Sequence, residues 1–376
     1  GHLAAVLQTT RAFAAPEVEQ VLQRMVPLVA ELGDAPELFH IRWKRFAFLQ
    51  GRARHREALA LARENLEIAE RTGVTANRMI AHLSLGGGSL FLMGEYPEAL
   101  RHLEAAAALL DPSWSSAAIA SYGQDVGATV YLQKALVLSG TGALDAGAAA
   151  AAEGIALARA TNQAHSVQQS LAIEEQHRQW RGDRDGVLRL FEELRRTSAD
   201  QGVPQWEQFG SIIAAWAAAP ADPTAPERMG EGVRAFQAAG ALILSSYWSQ
   251  LLADACLSLG RLDEAHQHVR AGLAFAESSG ERFQEANLHR LRGEIFAASD
   301  EAGEAEGSFR AALDVARRQG ALLQALHAAV SFSRLLVRHH RAAEARALLG
   351  PLSTSFAGGA DLVLLQEARA LLAALP

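Results

Sequence analysis

Apolar residues along this chain recur at three- and four-residue steps, the spacing that gathers side chains on one face of an α-helix. Ala265, Val269, Gly272, Leu273 and Phe275 make one such face, and Gly280 follows it. Glycines that close helical segments recur at Gly202, Gly240, Gly280 and Gly320, then at the Gly358–Gly359 pair, with 38 to 40 residues between them. Glycine suits the position just past a helix, where the backbone turns to positive φ. A second break falls midway through several units, at Met93-Gly94-Glu95, Arg181-Gly182-Asp183 and Leu259-Gly260-Arg261. Val and Ile are scattered at helical spacing, and no segment alternates as a half-buried strand does. Two helices of roughly 15 to 18 residues, joined by a tight turn and repeated about every 40 residues, make a helical-hairpin solenoid.

The spacing predicts eight hairpins whose first helices start near 36, 75, 120, 164, 204, 242, 283 and 322. An opening helix is expected from Pro16 to Glu31, and a closing helix from Asp361 to Ala374 with a polar outer face as a cap. Where the two helices of a hairpin cross, close approach needs small residues around a larger apolar one. The second helices supply Ala99, Leu103, Ala106, then Ala265, Val269, Gly272, then Ala305, Phe309, Ala312. The first helices supply Leu252, Ala253 and Cys256, then Gly293 and Phe296, then Phe332, Ser333 and Leu336. This is the tetratricopeptide spacing on longer helices. The expected fold is therefore an all-α, right-handed superhelical solenoid of tetratricopeptide-like hairpins, a single unit over residues 3–376. Gly1-His2 reads as the remnant of a cleaved tag, and Pro220 to Pro226 as a loop insertion or a hinge, of which the plain loop is preferred.

Composition narrows the function. Alanine supplies 77 of the 376 residues and aromatics only 6%, which favours close helix packing over a sheet. The formal charge of -7 argues against a phosphate-binding surface spread over the molecule, so nucleic acid is not an expected partner. The best apolar run, Ser211 to Ala219, is too short to span a bilayer, which takes about 20 residues, so a cytoplasmic protein is expected. Lys44 and Lys134 are the only lysines, and neither follows a phosphate-binding glycine loop; Gly86-Gly87-Gly88 reads as close helix packing. His266 and His268 are two residues apart and diverge on a helix, while His339-His340 sits at a turn, so no metal is expected. Cys256 falls where the repeat wants an apolar side chain, and no nucleophile elbow accompanies any Ser, His and Asp. Neither catalysis nor a cofactor is expected.

The stretch Glu277 to Glu294, containing Ser278-Ser279-Gly280-Glu281-Arg282-Phe283-Gln284-Glu285-Ala286, resembles the C-terminal helical region of large bacterial signalling ATPases. Ala302 to Gly320, Tyr122-Gly123-Gln124-Asp125, and the closing segments Ala342 to Leu349 and Glu367 to Leu372 are similar to that region too. The resemblance covers roughly residues 75 to 375 and is strongest from 240 onward. In that family a class III adenylyl or guanylyl cyclase domain, or a DNA-binding domain, often precedes a STAND-type NTPase, and a tetratricopeptide region closes the chain. Glu174-Glu175-Gln176-His177 and the proline-rich turn depart from the family pattern.

With no reactive machinery, function falls to the concave wall. Positions 2, 5, 9 and 12 of each first helix face inward, which nominates Tyr131, Gln169, Gln176, Gln179, Tyr247, Asp254, Asn287, Arg290, Glu294, His327 and Arg334 for binding. Asp125 is read as a helix N-cap, and Trp206, Trp216 and Trp248 as core. The expected function is a non-catalytic interaction or sensor region. It would take a protein, a peptide or a small ligand in its concave groove, with other domains of the same polypeptide among the partners; a free-standing scaffold is the alternative. The register makes one sharp prediction. Ala305→Arg forces a long charged side chain into a helix crossing and should cost several kcal/mol, and an unchanged thermal melt would reject the register.

Overall fold

The computed structural model describes residues 35–111, 124–199 and 204–375, together with positions 20–22, 24, 25, 33, 113, 119, 121 and 122. Gly202, the tag remnant and most of the opening helix lie outside the described residues. So does part of the stretch near 120. Among the described residues there is no strand. A 3-10 turn at Pro36–Leu38 leads into α1 (Phe39–Gly51), followed by α2 (His55–Thr72), α3 (Thr75–Leu85) and α4 (Tyr96–Ala108). The chain resumes with α5 (Val126–Gly140), α6 (Leu144–Ala160), α7 (Ala164–Trp180), α8 (Arg184–Ala199), α9 (Pro204–Ala218) and α10 (Ala225–Ala238). It ends with α11 (Ser245–Ser258), α12 (Leu262–Ser279), α13 (Glu285–Ala298), α14 (Ala302–Gln319), α15 (Leu322–Arg338), α16 (Ala342–Ser353) and α17 (Val363–Ala374).

Odd-numbered helices from α1 to α15 are the first members of eight hairpins, and each packs on the helices before and after it in sequence. The starts expected at 75, 164, 204 and 322 coincide with α3, α7, α9 and α15. The other expected starts run two to six residues early, because short turns such as 241–244 and 281–284 intervene before the helix begins. The small-residue crossings sit as their spacing requires. Ala99, Leu103, Ala106, Ala265, Val269, Ala305 and Ala312 are fully buried. A Cβ on Gly293 would stand 2.7 Å from the Phe309 ring, and one on Gly272 would stand 2.9 Å from Leu288. These glycines are notches that let a neighbouring side chain in. Cys256 is fully buried beside Ala253, Val269, Leu291 and Ile295, and burial pushes its thiol up to about 11.

The turn inside each hairpin is nearly standard. The residue two places before the second helix is left-handed in seven of the eight hairpins. It is Ala53, Gly94, Gly142, Gly182, Gly260, Asp300 or His340, with φ between 55° and 91°. The exception is the α9–α10 connection. There the Asp222 carboxylate accepts from the Thr224 amide (2.9 Å) and hydroxyl (2.8 Å), and Pro226 enters the first turn of α10, where a missing N–H costs nothing. Asp125 caps α5 as expected, accepting from the Ala128 amide at 2.9 Å. The outer face of α17 is less polar than a cap was expected to be. Val363 is 63% exposed there, beside exposed Gln366 and Arg369.

The solenoid closes on itself. The Gly51 carbonyl, at the end of α1, accepts from the Leu242 (2.7 Å) and Ile243 (3.1 Å) amides. The Leu92 carbonyl accepts from the Arg282 (2.8 Å) and Phe283 (3.1 Å) amides. Ala357 and the α5–α6 turn exchange two backbone bonds, to Gly142 (3.0 Å) and from Leu144 (3.1 Å). Partners in the first two sets lie about 190 residues apart, so one superhelical turn takes just under five hairpins and the next turn rests on its rim. Glu281 fastens the same seam from inside. Fully buried, it accepts from the Leu244 amide (2.7 Å) and from the Ser246 amide (2.8 Å) and hydroxyl (2.7 Å), and it stands 3.2 Å from His55 of α2.

Two glycine substitutions separate conformation from packing. Gly260 is left-handed with open space around it, so Gly260→Ala should cost about 1–2 kcal/mol from backbone strain alone. Gly307 lies within α14, also in open space, and Gly307→Ala should stabilise by about 0.5–1 kcal/mol. Thermal melts of the two variants should shift in opposite directions.

Candidate functional site: an aromatic lumen and its cavity

Because the second superhelical turn sits on the first, the concave groove expected from the hairpin pattern is a lumen bordered by both turns. An aromatic cluster occupies its middle. Phe91 packs against Phe283 (5.2 Å between ring centres), Tyr96 (5.7 Å) and Trp180 (5.9 Å). Trp180 stacks on Phe283 at 6.3 Å, and Tyr247 lies 6.2 Å from the same ring. The Tyr96 hydroxyl donates to the Phe283 carbonyl (3.2 Å) and accepts from Gln324 Nε2 (3.1 Å). Helix α7 runs past the cluster. It carries Gln169, Ile173 and Gln176 to a cavity on one side, puts Gln179 and Trp180 in the cluster, and faces a charged set on the other.

The cavity measures about 210 Å³ and is walled by α1, the α3 region, Gln124, α5, α7, α9, Phe236 of α10 and the 241–244 turn. Its aromatic walls are Trp43, Phe46, Phe91, Trp206, Phe209 and Phe236, and its polar ones are mainly glutamines. Among the described residues no acidic, basic or histidine side chain lines it. The triple glycine packs along its edge, where Gly87 and Gly88 line it. α3 runs into a π-helical turn over Gly86–Leu90, and each glycine faces a different neighbour at a distance a Cβ would violate. Gly86 faces the Ala99 carbonyl (2.8 Å), Gly87 faces Gln133 (2.9 Å) and Gly88 faces Phe46 (2.6 Å). Gln50 Nε2 donates to the Gly88 carbonyl at 3.1 Å. π-Turns of this kind recur at functional sites. The close-packing reading of the triplet holds, and the packing borders a cavity.

On the far side the charges neutralise one another. Asp254 accepts from Trp216 Nε1 at 2.7 Å and stands 3.8 Å from Arg184 and 3.9 Å from Arg290. The Arg184 guanidinium lies 4.0 Å over the Trp216 ring, and Arg290 pairs with Glu294 at 2.7 Å. Ser331 donates to the same Glu294 carboxylate. His327 bonds the Trp180 backbone, and withdrawal from water together with the Arg290 charge pushes its pKa down to about 3. Two arginines and two carboxylates in mutual contact leave little net field for an anion.

The eleven nominated wall residues therefore fall into separate groups. Gln169 and Gln176 line the cavity. Tyr247, fully buried, donates to Gln179 Oε1 at 3.0 Å inside the aromatic cluster. Asp254, Arg290, Glu294 and His327 belong to the charged set. Arg334 is exposed and paired with Glu367 of α17. Asn287 donates locally to Gln284 at 2.8 Å, and Tyr131 packs on the α5–α6 pair. The unusual run on α7 is buried with mixed satisfaction. Glu174 pairs with His177 (3.1 Å) and Arg178 (3.0 Å), and His177 meets Ser139 at 2.8 Å. Glu175 has no hydrogen-bond partner, and burial raises its pKa well above the carboxylate range.

Sequence reasoning missed Trp43, Phe46, Gln50, Gln124, Gln133 and Trp206 as cavity walls; Trp206, read as core, is only half-buried there. The available signal was a glutamine recurring on first helices at 50, 133, 169, 176 and 205. Among the described residues, no three His, Cys, Asp or Glu side chains converge as metal ligands, and no helix is long and apolar enough to cross a membrane.

Together these features define a class: an all-helical hairpin solenoid with an internal, partly apolar lumen. No protein-family model and no curated protein matches the chain. Among solved structures it is similar to yeast Tom70, with a TM-score of 0.40 and 12% identity, over 84% of this chain and 59% of that one.

The depressed His327 gives a pH prediction. In the unfolded chain it binds a proton near 6.5 but in the fold only near 3, so stability falls as pH drops between those values. His327→Gln should flatten the stability-against-pH curve over that interval, as read by thermal melts from pH 7 to 4. An unaltered curve would show that His327 does not carry the acid sensitivity.

Proposed function

We propose that this chain is the non-catalytic interaction and sensor region of a bacterial signal-transduction protein. In this reading its lumen takes a partner or ligand, and the result is relayed to an NTPase, cyclase or DNA-binding module on the same polypeptide. The observation that carries the reading is the seam between superhelical turns. The cavity is walled by α1 and α3 from the first turn and by Phe236 and the 241–244 turn from the second, so an occupant touches both at once. Any ligand that prefers one spacing of the turns shifts the whole superhelix toward it, and only such differential affinity can do so. The sequence resemblance to the closing region of signalling ATPases supplies the class of module. Internally paired charges and a buried, unreactive cysteine fit a region that binds rather than catalyses.

The test acts on the seam without touching the cavity. Tyr96→Phe removes the hydroxyl that bridges Phe283 and Gln324 and leaves a buried carbonyl unpaired, a loss of about 1–3 kcal/mol in the contact between turns. In the full gene product, the basal turnover or DNA affinity of the adjoining module should change severalfold in this variant. Unchanged output from a folded Tyr96→Phe protein would overturn the reading, and a gene encoding no such module would leave the free-standing scaffold.

A further inference from the structure

The cavity is specific about what it can hold. At about 210 Å³ it exceeds the roughly 150 Å³ apolar cavity that takes up benzene in an engineered protein, so one or two fused rings fit and a folded peptide does not. Among the described residues no charged side chain stands on its walls, so an ionised guest would be stripped of water with no counter-charge from them. Two amide groups on the wall are unspent. Gln176 is only 4% exposed and its Nε2 has no hydrogen-bond partner; Gln133 Oε1 is buried and also has none. A buried donor and a buried acceptor left unmade are each destabilising, and a guest that satisfies both removes that penalty. A pure hydrocarbon guest would fill the volume and leave both unpaired. A sugar would bring more hydroxyls than the few wall amides can serve. Six aromatic side chains around the space favour a flat ring, which presents faces and edges to theirs.

We propose that this cavity is a binding site for a neutral, flat heteroaromatic molecule of one or two rings bearing both a hydrogen-bond donor and an acceptor, with a lactam as the simplest case. The ligand accepts from Gln176 Nε2 and donates to Gln133 Oε1, its ring lying among Trp43, Phe46 and Trp206. An amide side chain offers a donor and an acceptor together, so the match survives either orientation of the two glutamine head groups. The assignment rests on the sensor reading above and narrows it to one chemical class.

The experiment titrates the intact chain with 2-quinolone, following the fluorescence of Trp43 and Trp206 and the heat of binding. Naphthalene, quinoline-2-carboxylate and 1-octanol are run beside it. Expected is saturable binding of one 2-quinolone per chain, with naphthalene and 1-octanol at least about tenfold weaker and the carboxylate unbound. Gln176→Leu keeps the volume and removes the donor. It should weaken 2-quinolone about tenfold and leave naphthalene unchanged or tighter, with a wild-type circular dichroism melt confirming the fold. Naphthalene or 1-octanol matching 2-quinolone, equal binding of the carboxylate, an unaffected Gln176→Leu variant, or no saturable binding to the folded wild type would each overturn the assignment. Those results leave the relay reading standing, because Tyr96→Phe tests it without any ligand.

Discussion

The structure depends on a row of backbone carbonyls at hairpin turns accepting amides from hairpins almost five repeats further along. Gly51 and Leu92 each take two such bonds, and the α5–α6 turn exchanges two more with Ala357. A solenoid without them is quasi-one-dimensional, each repeat touching only its neighbours, with stability close to a sum of local terms. Here the second turn is tied to the first, so local stability is coupled over long sequence distances. Glu281 and Tyr96 show how far the coupling is built in. One buried carboxylate gathers Leu244, Ser246 and His55, and one hydroxyl joins Phe283 to Gln324.

Closure changes what the inner wall is for. In an open superhelix the first helices offer a long trough to a peptide. In this chain the middle is filled by Phe91, Tyr96, Trp180, Tyr247 and Phe283, with the cavity on one side of them and the charged set on the other. On the charged side Arg184 and Arg290 share Asp254 and Glu294 between them, so the charges are paired. The other side keeps an apolar volume with unmet amides. Such a division suits a small guest whose presence is felt through the seam.

Much of the local architecture was legible. The intervals between closing glycines located the hairpins, and left-handed φ at Gly240, Gly280, Gly320, Gly358 and Gly359 is the physical reason glycine stands there. The crossing residues were legible for the same kind of reason: contact between two helices of one hairpin is fixed by spacing along the chain. The candidate site was half legible. Gln169 and Gln176 were nominated and do line the cavity, while Tyr131 and Asn287 make only neighbourly contacts.

Periodicity, glycine placement and small residues by themselves determined an all-α chain of paired helices, because those signals report interactions within about 40 residues. Tertiary structure alone decided that the superhelix closes. The pitch sums small rotations over five repeats, and no single repeat carries that sum in its sequence. The same closure put Phe236 and the 241–244 turn opposite α1 and turned scattered glutamines into one cavity wall. Contacts across 190 residues arise from accumulated geometry, and a local pattern of residues has no means of recording it.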